Sequence, residues 1–278
     1  MNIGLHIVAT PIGNLDDISK RAIDCLNEAD LVICENPKHS LKLLNKFGIK
    51  KKLISLHDYN ENSVIIRLSS ELNRKKIALI SDAGSPLISD PGYKFIKHCL
   101  KNGIYVTSIP GANAIIPALQ LSGAPTNQFS FVGFFPKTSK QMIDFIKKIE
   151  QKEETSVFFV SSHKIEQCVN YLETYIKKRP ISILKELTKL NEKIFHGLSD
   201  ELKEKIFKEK ENVKGEFVVV VEGKSLEKDE VIVSDTYTKE INKLLLKFSL
   251  TDVVEIVHKL TGISKSKIYK WVLKIKKS

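Results

Sequence analysis

Five short apolar runs recur within the first 110 residues: 5–9 (LHIVA), 31–34 (LVIC), 53–56 (LISL), 77–81 (IALIS) and 104–109 (IYVTSI). Each is continuous rather than alternating, the pattern of strands buried on both faces. Between them lie amphipathic stretches over 17–29, 40–47 with Gly48 as a stop, 62–73, and 91–101 closed by Asn102-Gly103, which read as crossover helices. Strands alternating with helices require parallel pairing. This half is predicted to be an α/β domain.

Residues 129–134, 157–161, 181–187, 193–196 and 216–222 are further strand candidates with fewer helices between them, and the last three could pair as an antiparallel meander. The seam is placed near Pro110-Gly111, ahead of a helical stretch over 113–121. The expected organisation is therefore an N-terminal α/β domain (1–111), a second α/β domain (112–225) and a basic helical tail (226–278). In that tail Ile241, Leu244, Leu245 and Phe248 are spaced i, i+3, i+4, i+7, as are Leu250, Val253, Val254 and Val257, and Ile268, Trp271, Val272 and Ile275. Three helices follow. Thr261-Gly262-Ile263-Ser264 supplies a stop and a cap between the last two, the arrangement of a helix-turn-helix. A plain helical cap on the second domain fits the same spacing.

No apolar run approaches the roughly 20 residues that span a bilayer, and the start lacks a basic region followed by a long apolar one. A cytosolic protein with no membrane partner is expected. Cys25, Cys34, Cys99 and Cys168 are scattered without a CxxC pair and read as small buried apolar residues. The net charge is +11, and residues 257–278 carry seven lysines and no acid. That is either a solvated lysine face in a lysine-rich chain or a segment that neutralises nucleic-acid phosphates.

In open parallel sheets ligands bind beyond the carboxyl ends of the strands. Four loops there are unusual: TPIGNL (10–15), ENPKH (35–39), HDYN (57–60) and SDAGSPLISDPG (81–92). In the last, Asp90 reads as the N-cap of the next helix with Pro91 and Gly92 in its first turn. The first loop has one glycine and no lysine, so it is neither a Walker A loop nor a dinucleotide fingerprint. A ligand without phosphates fits better.

VATPIGNLDDIS (8–19), ALISDAGSPLISDPG (78–92), SIPGANA (108–114), SGAPTNQFSFVGFFP (122–136), KELTKLNEKIFHG (185–197) and KGEFVVVVEG (214–223) together resemble the tetrapyrrole methylase superfamily, and within it the branch that methylates small-subunit ribosomal RNA. The resemblance runs in order over nearly the whole chain. It implies a homodimer of two-domain chains that binds S-adenosylmethionine in a cleft and methylates the ribose 2′-hydroxyl of a decoding-centre cytidine in 16S rRNA. Other branches show a GxGxGD-like first loop, whereas this chain has TPIGNLDD.

Position by position, the resemblance assigns Pro11, Ile12, Gly13 and Asn14 to the methionine end of the cofactor. Asp82, Ala83, Gly84 and Ser85 would form the wall after the fourth strand, and Asn113 with Ala114 the adenosine side. Glu35, His57 and Asp58 are candidates for the base that takes the hydroxyl proton. Lys38, Lys164, Lys265, Lys267 and Lys270 are candidates for RNA contact. Two stretches depart from the branch: Glu35-Asn36-Pro37-Lys38 stands where it usually reads EDTR, and Val160-Ser161-Ser162-His163-Lys164 where it usually reads ESTHR. Each loses an acid and exchanges arginine for lysine, which cannot make a bidentate phosphate contact. Two other readings stay open: a nucleic-acid-binding protein on a retired methylase scaffold, and a small-molecule methylase of the same superfamily.

Overall fold

The first apolar run forms β1 (Gly4–Val8), and the next four form β2 (Leu31–Cys34), β3 (Lys52–Ser55), β4 (Lys76–Ile80) and β5 (Val106–Ile109). All are parallel, in the order β3-β2-β4-β1-β5. Both faces are covered, as continuous apolar strands demand. Helices α1 (Lys20–Glu28) and α2 (Pro37–Lys46) bring Leu26 and Leu44 against Val8, Val32 and Ala78 on one face. On the other, α3 (Glu61–Leu68) and α4 (Tyr93–Lys101) bring Leu68 and Phe95 against Leu5, Ile33 and Leu79. The computed structural model describes residues 1–176, 178–224, 235–261 and 265–275.

After α5 (Ile115–Ser122) the chain enters a second sheet with β6 (Phe129–Phe134). Helix α6 (Ser139–Glu150), β7 (Thr155–Ser161), α7 (Ile165–Tyr175), β8 (Ile181–Lys185), β9 (Lys193–Gly197), α8 (Ser199–Phe207) and β10 (Glu216–Val221) follow. The order is β6-β7-β10-β8-β9, with β6 and β7 parallel and the other pairs antiparallel. The last three strands are antiparallel as expected but form no meander, because β10 inserts between β7 and β8. One face of this sheet packs on α6, α7 and α8 through Ile146, Cys168, Ile206 and Phe158. The other receives Ala118 and Leu119 of α5 on Val157, Leu184 and Val220.

Both sheets lie in one compact unit, Met1–Lys224. A second unit, Ser225–Ser278, holds α9 (Asp235–Leu245), α10 (Leu250–Thr261) and α11 (Lys265–Ile275). Its core is Ile241, Val253, Val254, Val257, Ile268 and Val272, the residues that the helical spacing brings to one stripe. Ser249 starts α10, its hydroxyl accepting from the Asp252 backbone N–H while the Asp252 carboxylate accepts from the Ser249 backbone N–H. The Gly262-Ile263-Ser264 turn lies outside the described residues. All four cysteines are buried, and burial pushes the Cys25 and Cys99 thiols up to about 11. Among the described residues no helix is long and apolar enough to cross a membrane.

Candidate active site

The loops after β1 and β4 are tied together by two backbone hydrogen bonds, Thr10 N to Gly84 O at 2.9 Å and Gly84 N to Thr10 O at 3.0 Å. Gly84 has φ 79°, and a Cβ there would stand 3.1 Å from Cγ2 of Ile12. The glycine therefore both makes the left-handed turn and lets the first loop approach closely. Two non-glycine residues of the same loop, Leu87 (φ 73°) and Ser89 (φ 72°), are also left-handed, a conformation unfavourable for L side chains. Leu87 is held in place by packing on the core of the first sheet. Such strain collects where a loop is shaped for a ligand rather than for its own stability.

These loops border a cavity of about 590 Å³. Ile12 and residues 82–85 form one wall, Asn113 to Ile116 at the start of α5 another, and Phe129, Phe131, Phe134 and Phe159 of the second sheet a third. The carboxylates at the cavity are Asp82, Asp90 and Glu216, and no Lys, Arg or His is among its lining residues. Such a surface favours a cation and disfavours a phosphate.

Asp90 is not the helix cap that the sequence predicts. Helix α4 starts at Tyr93, Gly92 occupies the cap position with φ 121°, and no side chain of the loop caps it. The buried Glu61 of α3 does so instead, its Oε1 accepting from the Phe95 N–H at 2.9 Å. Asp90 is thereby left facing the cavity. Burial, and then the neighbouring Glu35 charge, push its carboxyl up to about 6, against a smaller pull downwards from the Ser81 hydroxyl. Glu35, at the end of β2, is raised too, by burial first and then by Asp82 and Asp58. Glu35 and Asp90 border the same small space with Ser81, Pro86 and Pro91. Both acids thus hold protons more tightly than ordinary carboxylates do, and Asp90, at about 6, is able to take up a proton near neutral pH.

Other predicted residues fall in two groups. Ile12, Asp82, Ala83, Gly84, Ser85, Asn113 and Ala114 come together on the cavity. Pro11 is buried in the first loop, and Gly13 packs against Lys189 and Thr188 of the loop between β8 and β9. Asn14 caps a short 3-10 turn, its Oδ1 accepting from Asp16 N, while its own N–H donates to Thr188 Oγ1 at 3.2 Å. Asp82 accepts from the Asn36 N–H at 3.2 Å, and the Asn36 Oδ1 accepts from the N–H groups of Lys38 and His39. The stretch after β2 is thus the capped start of α2 rather than a free loop. His57 and Asp58 lie exposed at the end of β3, outside the cavity lining. Lys38 is exposed on the first turn of α2, and Lys164 reaches Lys137 O at 3.3 Å and Gln167 Oε1 at 3.0 Å. Lys265 is exposed on α11, 3.9 Å from Glu255, and Lys270 is exposed on the same helix. Lys267 lies on α11 as well, its side chain outside the described residues. Sequence reasoning passed over Asp90 and the aromatic wall, the first because DPG is also a cap signature.

The pattern of the family described as Tetrapyrrole (Corrin/Porphyrin) Methylases matches residues 4–203. A ribosomal RNA small subunit methyltransferase I from Haemophilus influenzae is 37% identical over 97% of this chain and 96% of its own length. One from Halalkalibacterium halodurans is 41% identical over 79% of this chain and 75% of its own. Among solved structures, diphthine synthase aligns with a TM-score of 0.58 at 18% identity, covering 80% of this chain and 90% of that one. The uroporphyrin-III-C-methyltransferase of Thermus thermophilus aligns at 0.53 with 16% identity, over 80% and 94%. These two likenesses are likenesses of fold.

Proposed function

Since the chain belongs to the tetrapyrrole methylase family, and within it to the ribosomal RNA small subunit methyltransferase I group, we propose that it transfers a methyl group from S-adenosylmethionine to the ribose 2′-hydroxyl of a decoding-centre cytidine in 16S rRNA of the small subunit. A cytoplasmic homodimer is part of the proposal. The observation that carries it is the cavity: acidic, free of basic residues in its lining, and set at the strand ends of a parallel sheet.

The residues present fit this cofactor. Asp82 and Asp90 offer negative charge to a cationic ligand, and Gly84, with no side chain of its own, lines the space beside them. Asn113, whose Oδ1 also accepts from Ile116 N, borders the side we assign to the adenosine. When bound, S-adenosylmethionine supplies a methyl carbon already activated by the positive sulfur next to it. What remains for the protein is to hold a ribose oxygen roughly 3 to 3.5 Å from that carbon, to keep water out and to take one proton. We assign the proton to Asp90, with Glu35 behind it keeping its affinity high. Asp90 replaces Glu35, His57 and Asp58 as first choice because it is the one of the four that lines the large cavity. Lys38, Lys164, Lys265, Lys267 and Lys270 would meet phosphates, so RNA binding should weaken steeply with salt.

The test is transfer of labelled methyl from S-adenosylmethionine into small subunits from cells lacking the gene, followed by digestion to nucleosides and mass spectrometry. Label in 2′-O-methylcytidine is expected. Label in a base, or none in RNA, would reject the assignment.

A further inference from the structure

The sequence FSFVGF of β6 should alternate, placing Phe129, Phe131 and Gly133 on one face and Phe134 on the opposite one. The structure breaks this alternation. The pairing of β6 with β7 shifts between Phe131 and Phe134, and Gly133 takes φ 81°. This bulge inserts a residue and reverses the parity of the strand beyond it. Phe134 joins Phe129 and Phe131 on the cavity, and Phe135 turns to the opposite core beside Phe158.

The ring placed there is poorly used for stability. Phe134 is 58% exposed and Phe129 41%, whereas Phe135 is 6% exposed. Phe159 holds Phe134 edge to face at 5.2 Å and Phe131 at 4.9 Å, so the three rings form a fixed group. Beside them, Ser161 of β7 pairs in register with Glu216 of β10, and both line the same cavity. Glu216 is largely exposed and takes an ion pair from Lys189 at 2.9 Å. An open aromatic group bordered by a hydroxyl and a carboxylate has the requirements of a nucleobase seat: a face for stacking, and acceptors for an exocyclic amine.

We propose that Phe134, supported by Phe131 and Phe159, stacks the unpaired base of the RNA nucleotide whose ribose is methylated, with Ser161 and Glu216 at the edge of that base. This rests on the reading of the cavity as an RNA methylation site. The far end of the cavity, at Asp82, Gly84 and Asn113, is left to the cofactor. The bulge at Gly133 thus serves the substrate, by aiming an aromatic ring that regular pleating would bury.

The test uses the full chain, S-adenosylmethionine and unmethylated small subunits. Wild type is compared with Phe134→Ala, Phe134→Leu, Phe134→Tyr and Phe134→Trp by calorimetric cofactor binding, filter retention of the subunits, and KM and kcat for methyl transfer. Phe134→Ala is expected to weaken subunit binding and raise its KM on the order of tenfold or more. Cofactor affinity should stay within twofold and the melting temperature should hold, since the ring is largely exposed. Tyr and Trp should restore binding, and Leu should not. A parallel loss of cofactor affinity would make Phe134 a cofactor contact and overturn the proposal. Unchanged subunit binding, or full rescue by Leu, would overturn it as well. Absence of transfer by the wild type would instead reject the function on which the proposal rests.

Discussion

Replacing Asp90 by Asn should make the protein more stable and less active, and the two effects have one origin. The carboxyl lies at about 6 in the folded protein against an ordinary 3.8. The folded state therefore binds this proton more tightly than the unfolded chain does. Stability from the protonated form is complete below about pH 4 and is lost as pH rises through about 6. At about 1.4 kcal/mol per pH unit the difference between the two values is worth at most about 3 kcal/mol, and because the carboxyl is only half-buried, solvent screening brings the stability given up at pH 8 down to about 1–2 kcal/mol. Asn carries no charge, so it keeps what the anion loses and also relieves Glu35 of a like charge. Urea unfolding at pH 4.5, 6 and 8 is expected to show a gain for Asp90→Asn that is smallest at pH 4.5, where roughly a third of it is already present, and reaches about 1–2 kcal/mol by pH 8. In parallel kcat should fall about 100-fold or more, with cofactor affinity nearly unchanged. The wild-type rate should rise with pH through about 6, as the carboxylate becomes free to accept a proton. A loss of stability at pH 8, or a difference independent of pH, would refute the view that Asp90 is held against its own charge. A kcat within threefold of wild type would refute its role as proton acceptor.

Three further outcomes follow from the packing. Glu61→Ala should cost about 1–3 kcal/mol in denaturant unfolding by leaving the Phe95 N–H unpaired, while Glu61→Gln, which keeps an acceptor, should cost less. The buried Arg179 guanidinium donates to Glu222 O at 2.8 Å and to Ile149 O and Glu150 O at the end of α6 at 3.1 and 3.0 Å. Arg179→Lys should lose about 2–3 kcal/mol, because one ammonium cannot serve this fork, and should leave kcat unchanged below the melting temperature. Deleting residues 225–278, which have a core of their own, should leave cofactor binding intact and flatten the salt dependence of subunit binding measured by filter retention.

The parallel sheet was legible because its strands are buried on both faces, which writes an uninterrupted apolar run wherever one occurs. The start of α2 was readable too: Asn36-Pro37 is a cap followed by a first-turn proline, and the reading missed it by taking ENPKH as a loop. Asp90 was a harder case. Its local sequence says cap, and it is released from that role by Glu61, 34 residues from the Phe95 N–H that it receives. Phe134 was hidden in a similar way, since one left-handed glycine reverses the parity that a two-residue period assigns. Loop residues converging on the cavity, such as Ile12, Gly84 and Asn113, were found through the motifs. Residues defined by a contact distant in sequence were not.

A crystal structure of the full chain with S-adenosylhomocysteine bears most directly on the central claim. The ligand is expected between Gly84 and Asn113, with its sulfur directed towards Asp90 and the aromatic group left open for a nucleotide. A ligand bound elsewhere, or one whose adenine stacks on Phe134, would contradict this division of the cavity.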